Sequence, residues 1–271
     1  MTLSVVIITH NEEVNVGRTL ASVQTLVADG KGEIIVVDSG STDRTVEIAK
    51  SLGAKVFVEE WKGFAAQKNS AIDKATGDWI LSLDADEEVS SGMRDFLLLA
   101  LFGSKADEFA KFQGGILFGR RNHFLGRWIR HGGFYPDVKL RLFRPGSGRF
   151  EARLVHEDIQ LKPGLPTYAP SPTLNRGEPI DIIHHSYPTL SDYIEHMNRY
   201  SSLGAEMTVA SGHHGFAVID IVVRPLATFL YNYFFRLGFL DGREGLLLHL
   251  NHSVYVSWKY AKVWELSRRQ R

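Results

Sequence analysis

Four carboxylates stand within five positions, Asp84 to Glu88 in "DADEE", directly after the apolar run "WILSL". No Lys or Arg lies close to them in the sequence, so nothing local relieves their mutual repulsion. Two carboxylates two residues apart, Asp84 and Asp86, can share one hard cation such as Mg²⁺ or Mn²⁺. Such ions prefer oxygen ligands and usually hold substrate phosphates as well. A solvated acidic turn is the plainer alternative. Glu87 and Glu88 read as the solvated start of the next segment, where carboxylates favour a helix N-terminus. Asp38 opens a second polar stretch, "DSGSTD". It can cap the following helix, or accept hydrogen bonds from a base or ribose at a strand end. Thr9, Asn11 and Glu12 in "THNEE" offer the same choice between a cap and a ligand edge.

Other side chains could complete a reaction site. His156, Glu157 and Asp158 form "LVHED", where a carboxylate beside an imidazole could act as general base. His184 and His185 in "IIHHSY" follow an apolar pair; they suit a core or cap histidine, or a third ligand to a carboxylate-bound metal. Lys68 reads as a solvated lysine on a helix. Arg120, Arg121, Arg127, Arg130, Arg141 and Arg144 lie among aromatics. They form either an ordinary solvated face or a contact for phosphates of a substrate or a lipid.

These residues need a frame. Residues 5–8 and 33–37 are β-branched runs, "AKVFVEE" is a third strand and "DWILSLDAD" a fourth. Between them lie helical patterns: Val16, Leu20 and Val23 at helical spacing, a helix ending near Gly53, and "GFAAQKNSAIDKATG" closed by Gly77. Strand and helix alternate through short connections, which predicts an α/β fold around a parallel sheet. In such sheets ligands gather at the carboxyl ends of the strands, and "THNEE", "DSGSTD" and "DADEE" all fall there. From about residue 110 the pattern predicts an antiparallel extension with loops, a proline-rich loop over 162–179, and helices beyond 188.

The 271 residues suit one large domain with an appendage, and we divide them at 212/213. There is no cysteine, so disulfides and thiolate metal sites are excluded. Zero net charge argues against a general nucleic-acid surface. "MTLSVVIITHNEE" lacks the basic start of a signal peptide. The tail, residues 213–271, has helical apolar spacing with aromatics and a basic end. It reads as helices packed on the domain, as an oligomer interface, or as an in-plane membrane helix. In the membrane reading Lys259, Lys262, Arg268, Arg269 and Arg271 meet anionic lipid. A true span is disfavoured by Asp220 and Arg224 in the first run.

"SVVIITHNEE", "IIVVDSGSTDRTVEIA", "AAQKNSAIDKATGDWILSLDADE", "YPDVKLRLFR" and "LVHE" together resemble family 2 glycosyltransferases, most of all the lipopolysaccharide-core β-glucosyltransferase-like subgroup. The resemblance covers roughly residues 3–200 and implies a GT-A nucleotide-sugar fold, an α/β/α sandwich, with a mainly helical C-terminal extension. It implies that Thr9, Asn11, Glu12, Asp38, Lys68 and Asp84 border the nucleotide-sugar. It further implies that Asp86, with Asp84 and His184, holds a divalent cation, Mg²⁺ or Mn²⁺, and that Glu157 is the catalytic base. Asp158 and Asp137 stay open as bases, and His185 as a ligand. The implied reaction is an inverting transfer from a nucleotide-diphosphate sugar, a UDP-sugar being expected, to a glycan or lipid-linked glycan in cell-envelope synthesis. The implied place is the cytoplasmic face of the inner membrane. A non-catalytic sugar-nucleotide or glycan-binding scaffold on the same fold is the alternative. A dinucleotide oxidoreductase is excluded, because "THNEEVNVG" stands where a G-x-G-x-x-G loop would be. A nucleotidyltransferase is disfavoured in the same way, since the Gly- and Arg/Lys-rich phosphate loop it would usually carry after the first strand is missing.

Overall fold

The expected β-branched runs form strands, because stiff branched side chains suit a pleated surface buried on both faces. A computed structural model of the chain describes residues 1–151, 158–171, 178–212 and 217–269. By compactness the chain forms two units, Met1–Arg120 with Val138–His184, and Arg121–Asp137 with His185–Arg271. The first unit opens with β1 (Leu3–Thr9), α1 (Val16–Val27), β2 (Gly32–Asp38), α2 (Thr45–Ser51), β3 (Lys55–Val58), α3 (Phe64–Asp73) and β4 (Trp79–Asp84). The pairs β1–β2, β2–β3 and β1–β4 are all parallel. Register sets Thr9 opposite Asp38 and Ile8 opposite Asp84, so the three polar stretches begin at neighbouring carboxyl ends.

After β4 the chain makes β5 (Glu87–Val89), α4 (Ser91–Phe102), α5 (Ala106–Lys111) and β6 (Gly115–Phe124). Then come β7 (Arg127–Trp128), β8 (Asp137–Phe143), β9 (Gly148–Phe150), β10 (Ile159–Leu161), β11 (Thr167–Tyr168) and β12 (Asp181–Tyr187). β8 runs antiparallel to β4, and β12 antiparallel to β5, as the changed pattern beyond residue 110 predicts. The sheet order is β3-β2-β1-β4-β8-β6-β12-β5. One expectation fails here. Glu87 and Glu88 do not start a helix; they lie in β5, because Ser90 is the cap of α4, its hydroxyl accepting from the Met93 amide at 3.1 Å.

Strand alternation builds two cores. Leu3, Val5, Ile7, Val36 and Leu81 pack on one face of the sheet with Leu20 and Val23 of α1 and Met93 and Leu97 of α4. Val6, Ile35, Val37 and Ile80 pack on the other with Ala71 and Ile72 of α3. Each fully buried aliphatic side chain contributes roughly 1.5–3 kcal/mol.

The second unit is mainly helical: α6 (Leu190–Ala210), α7 (Arg224–Leu230) between wide π turns at Ile219–Val223 and Tyr231–Phe235, and α8 (Gly242–Arg269). Thr189 and Asp192 close a reciprocal capping box at the start of α6. Pro225 has no N–H to offer the Ile221 carbonyl, and Ser257 of α8 donates to that carbonyl instead, at 2.9 Å. Among the described residues no helix is long and apolar enough to cross a membrane.

Candidate active site

The edge begins at Asp38, which is fully buried at the end of β2. Its Oδ1 accepts from the amides of Gly40 and Ser41 at 2.9 and 2.8 Å, and its Oδ2 from the hydroxyls of Thr9 and Ser41 at 2.8 and 2.5 Å. The carboxylate therefore fixes the turn after β2 and ties it to the end of β1. Asn11 continues the tie from a left-handed backbone (φ 55°), its Oδ1 accepting from the Thr42 amide at 2.8 Å. The Glu12 amide donates to Thr45 Oγ1 at 2.7 Å.

Beside this edge the acidic run divides by partner. Asp84 is held from two sides, by Lys68 Nζ at 2.6 Å from α3 and by Arg141 at 2.9 Å from β8. Glu87, with no exposed surface, accepts from Arg141 at 2.5 Å and Arg120 at 3.2 Å, and its other oxygen takes the Asp84 amide at 3.0 Å. Glu88 pairs with Arg18 at 2.8 Å. Asp86 faces His184, Oδ2 to Nε2, at 3.3 Å. The cations missing from the local sequence thus arrive from α1, α3, β6 and β8. Lys68 is an ion-pair partner rather than a solvated lysine, and Glu87 is a buried bracket rather than part of a solvated turn.

The charges follow from this arrangement. Burial works against an ionised Asp84, but Lys68 and Arg141 outweigh it and hold the carboxyl well below the usual range. Burial likewise opposes ionised Asp86, and His184 outweighs it, pulling the carboxyl down. Burial opposes the imidazolium of His184, and Asp86 pulls its pKa up. Burial raises Glu12, and the fields of Asp86, Asp43 and Asp84 add to the rise.

The donors beside Asp86 suit a divalent cation. Asp86 and His184 put an oxygen and a nitrogen donor side by side, a pair that Mn²⁺ accepts. Asp84 is engaged by two cationic side chains. Among the described residues no group of three His, Cys, Asp or Glu could hold a metal, so further ligands would come from substrate phosphate and water.

The other expected residues have other partners or fall outside the described residues. Glu157 and His156 fall outside the described residues. Asp158 pairs with Lys139 at 3.1 Å, and Asp137 accepts from Asn122 Nδ2 at 3.3 Å. His185 stacks on His123 at 5.4 Å in the second unit, since alternation along β12 turns it away from the side of His184. The arginines do not act as one cluster. Arg144 lies over Trp79 at 4.3 Å and donates to carbonyls at the end of α5, while Arg121 and Arg130 flank Trp128 in the second unit.

Arg141 and Glu87 were missed as a pair. A signal existed: a charge inside the apolar run "KLRLF" must be buried with a carboxylate partner.

Ligand sites at the carboxyl ends of strands are general to open α/β sheets, and comparison with known proteins narrows this one. Residues 4–132 match the model of the family "Glycosyl transferase family 2". An uncharacterized glycosyltransferase of Rickettsia typhi is 30% identical over 99% of this chain and 89% of its own length. The lipopolysaccharide core biosynthesis glycosyltransferase LpsC of Rhizobium meliloti is 28% identical over 97% of this chain and 92% of its own. The mannosyltransferase PcManGT from Pyrobaculum calidifontis, solved with GDP-Man and Mn²⁺, shares the fold at a TM-score of 0.55 and 16% identity, over 96% of this chain and 86% of that one. With strand order, acidic edge and full-length similarity in agreement, the chain belongs to glycosyltransferase family 2.

Proposed function

We propose that the protein is an inverting, metal-dependent hexosyltransferase, moving a sugar from a nucleoside-diphosphate donor, a UDP-sugar, to a hydroxyl of a glycan or lipid-linked glycan in the synthesis of cell-envelope polysaccharide or lipopolysaccharide. The observation that carries this is the edge itself. Asp38 stands opposite Thr9 on one side of β1 and Asp84 opposite Ile8 on the other, and Asp86, two residues on, faces His184. The Rhizobium relative's lipopolysaccharide-core role and the GDP-Man and Mn²⁺ of the archaeal structure support the substrate class and the ion.

In this reading the turn held by Asp38 and the residues Thr9, Asn11 and Glu12 border the nucleotide. Lys68 and Asp84 stand at its ribose and diphosphate, with Arg141 fixing Asp84. Asp86 and His184 would hold a Mg²⁺ or Mn²⁺ ion, which when bound offsets, as a Lewis acid, the charge gathering on the departing diphosphate. Glu157 takes the proton from the acceptor hydroxyl as its oxygen attacks the anomeric carbon. Attack comes from the face opposite the diphosphate. One carbon–oxygen bond forms, the bond to the diphosphate breaks, and the anomeric configuration inverts. A single base suffices, because the diphosphate leaves without needing a strong acid, unlike the paired-carboxylate design of glycosidases. Residues 1–212 make up the transferase part of this proposal and 213–271 a helical region. An acceptor carried on lipid places the protein peripherally at the cytoplasmic face of the inner membrane.

Glu157→Gln tests the assignment of the base. We expect transfer from a UDP-sugar to fall by at least about 10²-fold, the scale of lost general-base catalysis, with nucleotide binding retained. Unchanged transfer would remove Glu157 from the mechanism.

A further inference from the structure

At the basic end of α8, for which a lipid contact is one of the three readings from sequence, the lysines are engaged within their own unit while Arg268 and Arg269 are exposed. Lys262 Nζ donates to the Asn198 side chain and carbonyl and to Ser201 and Ser202 of α6, at 2.7–2.9 Å. Lys259 lies along Gly204 and over Tyr260, Arg268 over Trp264, and Arg269 pairs with Glu265 at 2.6 Å. Val263 is buried with Ala205 and Val209. This half of α8 is a helix–helix seam.

The exposed apolar surface lies elsewhere, on residues 218–240. Ile219, Val222, Leu226, Leu230 and Phe234 recur every three or four residues, and each is 41–62% exposed; Phe235 is 79% exposed. Intervals of three and four place side chains along one helix face. Water-facing helices do not keep such a stripe, and large exposed apolar patches mark interaction surfaces. The charges around it are sorted. Asp220 is 5% exposed and bonded by Arg224 at 2.7 and 2.9 Å, and Asp241 is 2% exposed and held by His131. Glu244 is paired with Arg127 at 3.6 Å. Arg224, Arg236 and Arg243 are exposed. The stretch therefore turns apolar and cationic groups outward and withdraws its carboxylates, complementing an anionic lipid surface.

We propose that residues 218–243 are the face by which this protein docks in the plane of an anionic phospholipid bilayer. Leu226 and Phe235 enter the acyl boundary, and Arg236 and Arg243 lie at the headgroup phosphates. As the docking site for a lipid-borne acceptor this rests on the transferase reading above; as a surface it stands on burial and charge in the second unit alone.

The test is flotation of the full chain with vesicles of phosphatidylcholine containing phosphatidylglycerol, against phosphatidylcholine alone. The wild type is expected to float with the anionic vesicles and to lose binding as salt rises. Leu226→Glu with Phe235→Glu should cut partitioning by at least about tenfold. Arg236→Gln with Arg243→Gln should cut it by about tenfold and flatten the salt dependence. Arg268→Gln should leave it unchanged. If the double glutamate variant fails to fold, Phe235→Ser at its highly exposed position carries the same prediction. Partitioning unaffected by the Leu226 and Phe235 substitutions would overturn the proposal. So would a wild type that ignores vesicles and dimerises through this face, a dimer that the same substitutions break. Nucleotide binding, followed in the same samples by Mn²⁺-dependent thermal stabilisation with UDP-sugar, reports on the transferase reading separately.

Discussion

Replacing Arg141 with Met should destabilise the first unit strongly, and replacing Glu87 with Leu at the same time should restore much of the loss. Arg141 is 4% exposed and Glu87 fully buried, 2.5 Å apart. Removing one partner of such a pair strands the other charge without solvent, at about 3–5 kcal/mol. Arg120 still reaches Glu87 at 3.2 Å and Lys68 still holds Asp84 at 2.6 Å, so the low end applies, about 3 kcal/mol. For a chain of this size that is roughly 6–12 °C of melting temperature. The Arg141→Met, Glu87→Leu double variant buries neither charge and forfeits the Asp84 amide bond, a loss of about 1–2 kcal/mol. In thermal and urea unfolding the double variant should therefore be about 1–2 kcal/mol more stable than Arg141→Met alone, and its cost should fall well short of the sum of the two single costs. A cost below about 1 kcal/mol for Arg141→Met, or simple additivity of the two substitutions, would refute the bracket around Asp84.

Two further predictions concern other parts of the chain. His249 is 1% exposed, neither ring nitrogen has a hydrogen-bond partner among the described residues, and burial with His252 nearby pushes its pKa down to about 4. The unfolded chain then binds the proton more readily. This stabilising contribution is complete above pH 6.5 and lost as pH falls towards 4, by up to about 3 kcal/mol. His249→Phe should flatten that slope in melts taken between these pH values; an unchanged slope would contradict the assignment. Asp38→Ala removes the acceptor of the Thr9, Gly40 and Ser41 donors, and should cost about 2–3 kcal/mol and weaken nucleotide binding at least tenfold, read by denaturation and titration calorimetry.

Much of the edge was legible because strand and helix periods are local. "VVII", "IIVV" and "WILSL" announce their strands, and a parallel α/β sheet obliges the residues after them to share one side. What could not be read was pairing at long range. Arg141 stands 57 positions from Asp84 and meets it only because β8 runs antiparallel beside β4. Glu87 looked solvated because its partners, Arg120 and Arg141, come from β6 and β8. His184 and His185 are equivalent in composition, and only the pairing of β12 with β5, His184 opposite Glu87, selects the one beside Asp86. At the basic end of the tail the sequence left packed helices and a lipid contact open, and only the approach of α6 shows Lys262 serving a helix seam.

In the proposed function the edge formed by Asp38, Asp84 and Asp86 binds a nucleotide-sugar together with a divalent ion. The most direct measurement is thermal stabilisation of wild type and Asp86→Asn by UDP- and GDP-sugars, with and without Mn²⁺. At a hundredfold excess over Kd a ligand of the native state adds about 2.7 kcal/mol, roughly 5–10 °C here. We predict that shift for a UDP-sugar with Mn²⁺ on the wild type, and its loss without Mn²⁺ or in Asp86→Asn. No shift with any nucleotide-sugar, or an equal metal-dependent shift in Asp86→Asn, would contradict the account.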